Sequence, residues 1–274
     1  MRGRLKQGAR TGDLIAVGDW VAVSLQEDGT AMIEEVEERK SAFVRMAPSS
    51  RGLYEQVIIA NLDEVLLVFA CDDPPPNMRM LDRFLIIAER QEIPVQIIAN
   101  KTDLVSRRQM RYLFGHYPRL GYPVLYTSVK KKRGIRKLRH QIKGKISVLI
   151  GPSGVGKSSL LNAIQPDLGL RVSSISEATR KGRHTTVVRQ MFKLDKGGYV
   201  ADTPGLKALP MWDVEPEELD GYFPELAALV PECQYSNCTH VEEPGCAVIE
   251  ALEAGKIHPE RYESYVRIRY GEED

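Results

Sequence analysis

The sequence contains no apolar run approaching the 18 or so residues of a membrane-spanning helix, which excludes a helical membrane protein. Its amino-terminal "MRGRLKQGARTGD" carries charge with no apolar stretch behind it, so a secretory signal is absent. It has no excess of either charge, since 38 basic and 37 acidic residues leave a net +1. A chain-wide basic signature is thereby excluded, and any nucleic-acid face must be local. Cysteine is scarce, with four in 274 residues. These absences predict a cytoplasmic protein without disulfides.

What is present divides into three segments. Residues 1–48 read as short strands, with "DWVAVSLQEDGTAMIEEVEE" alternating Val21, Val23 and Leu25 against Trp20, Ala22 and Ser24 before turning at Asp28-Gly29. That predicts a hairpin in a small β-barrel, one too short to hold all five strands and so truncated at its start. Residues 57–210 alternate strand and helix patterns: "EVLLVFA" (64–70), a helical stretch at 77–91, then "PVQIIAN", "YPVLYTS", "KISVLI" and "YVAD" as further strands. An α/β domain follows from that texture. Residues 211–274 turn helical and carry three of the cysteines.

Two nucleotide motifs occur in an unusual order. "GPSGVGKSS" lies between a strand and a helix, the context a phosphate loop requires. Its residues Gly151, Ser153, Gly154, Val155, Gly156, Lys157, Ser158 and Ser159 are placed to cradle phosphates on backbone N–H groups. Lys157 would reach the β- and γ-oxygens, and the Ser158 hydroxyl would ligate Mg²⁺. "ADTPG" then ends a strand, with Asp202 holding Mg²⁺ through water and the Gly205 N–H sensing the γ-phosphate. The base reader "NKTD" comes before both. The Asp103 carboxylate can accept from guanine N1–H and the 2-amino group, Asn100 braces the loop, and the Lys101 stem lies along the base. Adenine has neither donor and is rejected. The expected chain is therefore a GTP-binding domain cut and rejoined in a different order, which costs little when the old termini were close.

Cys233-x4-Cys238-x-His240-x5-Cys246 offers three thiolates and an imidazole, the ligand set of a closed structural Zn²⁺ site. Cys71 reads as a small buried hydrophobe. His116, His140 and His258 have no partner visible in sequence. "KKKRGIRKLRHQIKGK" (130–145) is a basic run suited to a solvated helix face or to RNA phosphates.

Order and motifs together resemble the circularly permuted, ribosome small-subunit-dependent GTPase A family (RsgA/YjeQ/YloQ). The matching stretches are "GDWVAV", "NLDEVLLVFA", "LDRFL", "NKTDL", "GPSGVGKSSLLNA", "GRHTT", "DTPG", the Cys/His cluster and "RYESYVRI". The resemblance implies three domains: a truncated OB-like barrel, a permuted P-loop GTPase domain and a helical zinc domain. It implies GTP and GDP as ligands, the 30S subunit and its rRNA as partner, and a monomer. It makes Ser128-Val129 the second base loop, with a backbone N–H on guanine O6, where the family usually has Ser-Ala. Switch I departs too, reading Gly182-Arg183-His184-Thr185-Thr186-Val187. Many GTPases orient water with a glutamine after D-x-x-G, but this chain has Leu206 there. His184 is the candidate for placing water, and Thr185 or Thr186 would complete the Mg²⁺ shell. Two rivals are an RNA-binding module with a non-hydrolysing GTP switch, which Leu206 keeps open but Lys157, Asp202 and Thr185/Thr186 argue against, and a P-loop kinase, which "NKTD" disfavours.

Overall fold

A computed structural model of the chain describes residues 14–49, 52–170, 190–202 and 214–272. Two antiparallel ribbons come first: β1 (Val21–Leu25) with β2 (Ala31–Val36), and β3 (Ala42–Ser49) with β4 (Gly52–Ala60). The alternation of Val21, Val23 and Leu25 does not make a buried face. A bulge between Ala22 and Val23 shifts the register, and Val23 and Leu25 remain 52% and 82% exposed. The second ribbon is held more firmly. Phe43, Ile58 and Ile59 are buried in the main core, and the Gln91 amide clips Val44, accepting from its N–H and donating to its carbonyl.

The chain then runs through β5 (Glu64–Ala70), α1 (Met78–Arg90), β6 (Val95–Asn100), α2 (Arg107–Phe114), β7 (Val124–Tyr126), α3 (Ile135–Gln141), β8 (Ile146–Ile150), α4 (Lys157–Ile164), β9 (Gln190–Lys193) and β10 (Tyr199–Asp202). The six strands form one sheet in the order β7-β6-β5-β8-β10-β9, parallel except for the edge strand β9. Every residue of β5 is buried, as a central strand covered on both faces demands. Val65, Leu67 and Phe69 pack with α1, while Leu66, Val68 and Ala70 pack with α3 and α4.

Sheet order explains why the permutation is tolerated. The base-reading half, β5 to β7, extends one way from the β5–β8 seam, and the phosphate half extends the other way. Exchanging the sequence order of the halves leaves every strand pairing in place. Only the connecting loops change, at a small closure cost.

Three helices follow: α5 (Pro224–Ala227), α6 (Ala247–Glu253) and α7 (Pro259–Arg269). Their core joins Leu219, Phe223, Leu226, Val248, Ile257 and Tyr265 to Ile86 of α1. Helix α1 is therefore buried on two sides. Leu81, Phe84 and Leu85 face the sheet, while Asp82 and Ile86, one turn apart, face the carboxyl-terminal helices. Arg261 of α7 is 1% exposed and bonds Asp82 and Glu225, each at 2.6 Å. The Tyr117 hydroxyl also donates to Asp82, at 2.8 Å. Nearby, His116 and His258 stack with ring centroids 4.1 Å apart. Burial, with His258 and Arg261 beside it, pushes His116 down to about 3, so that imidazole is neutral. Burial pushes the Cys71 thiol up to about 12, with Asp103 and Asp72 adding to it, and Cys71 lies in the core. Among the described residues, no helix is long and apolar enough to cross a membrane.

Removing the shared cation should undock the carboxyl-terminal helices. Arg261→Ala leaves Asp82 and Glu225 buried without their partner, and should destabilise the chain by about 3–5 kcal/mol. Urea unfolding of the full chain reads this directly, and an unchanged midpoint would remove the ion network from the docking.

Candidate guanine nucleotide site and metal centre

The parallel strands end on one edge of the sheet, and every nucleotide motif with described residues starts there. Asn100 closes β6, Thr127 and Ser128 follow β7, Gly151 follows β8, and Asp202 closes β10. This is the crevice at the carboxyl ends of parallel strands where α/β domains bind ligands.

The phosphate loop turns sharply between β8 and α4. Gly151, Gly154 and Gly156 have φ of +151°, +80° and +96°, and Val155 between them is buried. Gly151 passes close under β5, where an added Cβ would meet the Val68 carbonyl at 2.1 Å. Lys157 begins α4, so the first-turn N–H groups, including those of Ser158 and Ser159, face the loop without helical partners. The Lys157 ammonium donates to the Gly151 and Pro152 carbonyls, each at 2.7 Å, inside the loop's concavity. Ser153 is exposed on the rim. A phosphate group fits this arrangement of N–H donors, helix amino terminus and ammonium.

The base-reading loop is fastened to that phosphate loop. Asn100 is 2% exposed; its Nδ2 donates to the Val155 carbonyl at 2.9 Å, and its Oδ1 accepts from the Thr127 hydroxyl at 2.9 Å. Thr102 donates to the Thr127 carbonyl at 3.0 Å. Lys101, at φ +56°, donates to the Asp73 carbonyl and so bridges the loops after β5 and β6. Ser128 is fully buried, and its hydroxyl donates to Asp103 Oδ1 while accepting from the Lys131 N–H at 3.0 Å. That hydroxyl, with Lys130 and Lys131 adding to it, holds the Asp103 carboxyl below the usual carboxylate range. Val129 is partly buried against α3 and α4.

Sequence reading placed Ser128 by its backbone alone. Its hydroxyl instead aims Asp103, and Thr127 satisfies the Asn100 oxygen once the Val155 carbonyl has taken the amide N–H. Neither role has a spacing signal, because each depends on two loops meeting. Glycine at 156 belongs to the same interlock, since a Cβ there would sit 2.6 Å from Asn100 Nδ2. His184, Thr185, Thr186 and Gly205 lie outside the described residues.

The metal candidates also converge. The ligand atoms of Cys233, Cys238, His240 and Cys246 lie within 4.8 Å of one another, with His240 and Cys246 buried. His240 Nδ1 is 3.5 Å from the sulfurs of Cys233 and Cys246, while Nε2 is 3.1 Å from Asp220 Oδ2. A carboxylate on the far ring nitrogen fixes the imidazole so that Nδ1 faces the thiols. Tyr262 and Tyr265 of α7 donate to the His240 and Thr239 carbonyls, at 2.8 and 2.9 Å. Three thiols and one imidazole fit a tetrahedral soft ion such as Zn²⁺ and leave no position for a catalytic water. The basic run divides: Lys145 pairs with Glu64 at 2.6 Å and Arg139 donates to the Ala163 carbonyl, while Lys130, Lys131 and Lys132 are exposed.

A phosphate loop bonded to a base-reading loop that precedes it in sequence defines a permuted P-loop nucleotide-binding domain. The RsgA GTPase family model matches residues 36–212, and the chain belongs to that family. It is 46% identical over 271 residues to a protein of Gemmatimonas aurantiaca named small ribosomal subunit biogenesis GTPase RsgA, covering 98% of this chain and 88% of that one. A protein of the same name from Thermotoga petrophila is 44% identical over 259 residues, covering 93% and 83%. Among solved structures, YjeQ from Thermotoga maritima superposes with a TM-score of 0.77 at 40% identity, covering 98% and 87%. YloQ, described as a circularly permuted GTPase, gives 0.71 at 31% identity, covering 98% and 84%.

Two substitutions test these sites. Gly156→Ala forces a side chain into left-handed backbone and against Asn100, so guanine nucleotide affinity should fall about tenfold or more. Titration with a fluorescent GDP analogue measures it, and unaltered affinity would break the proposed interlock. Asp220→Ala should weaken Zn²⁺ binding by about 10- to 100-fold in chelator competition. Equal affinity in both proteins would leave Asp220 no part in orienting His240.

Proposed function

We propose that this chain hydrolyses GTP to GDP and phosphate during late maturation of the 30S ribosomal subunit, binding the particle and its rRNA in the GTP state and leaving after hydrolysis. The observation that supports it most is the Asn100–Val155 hydrogen bond, which ties a guanine-type reader to a phosphate loop in a member of the RsgA GTPase family. The relatives reported above are named small ribosomal subunit biogenesis GTPases.

In this reading Asp103 accepts from guanine N1–H and the 2-amino group, Lys101 lies along the base, and the N–H of Val129 meets O6. The N–H groups from Gly154 to Ser158 hold the phosphates. Lys157 leaves its two loop carbonyls for the β- and γ-oxygens, where its charge stabilises the developing negative charge. Ser158, Asp202 and either Thr185 or Thr186 hold Mg²⁺, which supplies further charge neutralisation at the same oxygens. Leu206 can neither donate nor accept, so His184 positions the attacking water and Gly205 senses the γ-phosphate. Residues 1–48 belong to an OB-like barrel, 57–210 form the GTPase domain, and 211–274 form a domain scaffolded by one Zn²⁺. The basic run at 130–145 meets rRNA phosphates, and the protein works as a cytoplasmic monomer.

Phosphate release with and without purified 30S subunits tests the reading. Stimulated turnover supports it, whereas 30S binding without stimulation would identify a non-hydrolysing switch. Base reading has its own test. Asp103→Asn should lower GTP affinity at least about a hundredfold, through loss of two charge-assisted hydrogen bonds. The same substitution should raise preference for xanthosine triphosphate, whose 2-oxo group accepts from the new amide. Unchanged GTP affinity would take Asp103 out of the base site.

A further inference from the structure

The net charge of +1 conceals a strong local imbalance: between Asp103 and Asp167 the chain has no acidic residue at all. Part of that stretch forms the phosphate loop and the basic run. Another part has no role in the nucleotide site, and it builds a groove beside the β7 edge of the sheet. The groove has a volume of about 700 Å³ and is lined by Arg107, Met110 and Arg111 of α2, by His116 and Arg119 of the turn after it, and by Tyr126 of β7. All three arginines are exposed, and among the described residues none has an ion-pair partner within 4.0 Å.

Helix α2 is built against its own electrostatics. Arg107 and Arg108 occupy its first turn, where the helix dipole disfavours cations, and no acidic residue accompanies them. Arg107 and Arg111 also stand at i and i+4, where like charges repel. Such a local conflict, without an ion-pair partner among the described residues, suits a surface whose counter-charge comes from outside. Guanidinium forks suit phosphate oxygens, and the partly buried Tyr126 ring borders the groove.

A second, smaller cavity of about 260 Å³ continues from this one. It shares Arg107 and Met110 and is also lined by Thr102, Asp103, Lys131 and Arg133. The basic lining therefore extends from the sheet edge to the base-reading loop, where the Asp103 carboxylate lies among Lys131 and Arg133.

We propose that this groove seats the phosphodiester backbone of RNA. The inference rests on the ribosomal reading above and adds to it a particular surface, α2 and the turn at 115–119, outside the basic run. A chain engaged there would have its base-reading loop in contact with the RNA-bound surface.

The test uses the full chain with a non-hydrolysable GTP analogue and purified 30S subunits. Replacing the three arginines together (Arg107→Gln, Arg111→Gln, Arg119→Gln) should weaken binding about tenfold or more and make the slope of log K against log salt shallower by about 2. Unstimulated GTP hydrolysis should not change. A control with the same charge loss (Lys193→Gln, Lys196→Gln, Lys256→Gln) should bind as the wild type does. Equal weakening in both triples, or none in the arginine triple, overturns the proposal. With a photo-crosslinking residue at position 119, the bound chain should crosslink to rRNA. A crosslink to ribosomal protein alone, or none, overturns the RNA assignment. A wild-type chain that fails to bind 30S subunits is a different result, and removes the ribosomal reading itself.

Discussion

One hydrogen bond, from the Asn100 amide to the Val155 carbonyl, constrains the whole nucleotide site. It joins loops 55 residues apart in sequence and works in one orientation only, because the Val155 carbonyl can only accept, which leaves Asn100 Oδ1 to the Thr127 hydroxyl. The orientation in turn needs bare backbone at residue 156, where no Cβ fits. Base recognition is therefore not an independent module beside a phosphate cradle. Each loop is the other's support, and losing a partner would leave a buried amide unsatisfied at about 1–3 kcal/mol. Interlocking of this kind also explains why sequence order is free to change. The loops need the same strand ends, and the sheet supplies those whichever half is synthesised first.

How much of this was legible follows from where each signal resides. Strands β5, β6, β8 and β10 and helix α1 were readable because their patterns are local and periodic. The phosphate loop and the base reader were proposed because chemistry fixes both residue type and spacing, and the structure brings the two loops together at Asn100 and Val155. The four residues of the candidate metal site were readable from spacing, and the structure brings their potential ligand atoms together. The hairpin of β1 and β2 was legible, but its apolar alternation gave the wrong burial. Period-two patterning predicts an inside only where something covers the strand, and a bulge breaks the period at Val23. Pairings across long separations left no trace. Arg261 and Asp82 are 179 residues apart, and neither stands in a motif that names the other. Asp220 was missed for the same reason, since it precedes the cysteine cluster and reads as a loop acid. Thr127 was within view, but its hydroxyl acts on a loop that sequence could not place beside it.

The Arg261 network carries a different lesson about charge inside proteins. A buried guanidinium and two carboxylates must repay a large desolvation cost, so such a set is a poor source of stability compared with apolar packing. Here the apolar contact of Ile86 with the carboxyl-terminal core already supplies attraction. What the ions add is selectivity of placement. An apolar face tolerates small slides, whereas Arg261 satisfies Asp82 on α1 and Glu225 on α5 in one position only. The carboxyl-terminal helices are thus held in register on α1, and α1 is held by the sheet.

That register ties the carboxyl-terminal helices to the base side of the nucleotide site. The Lys101 ammonium reaches the Asp73 carbonyl, and the loop containing Asp73 leads to Asn77, whose side chain caps α1 by accepting from the Met80 N–H at 2.9 Å. A cleft of about 540 Å³ lies between this loop and α7, lined by Asp72, Arg79, Glu260 and Arg267. On the phosphate side the attachment is covalent: residues 203–213 join the end of β10 to the segment entering the same helices. The carboxyl-terminal unit is consequently packed on α1, whose amino-terminal cap leads back to the candidate base loop, and it is continuous in sequence with β10.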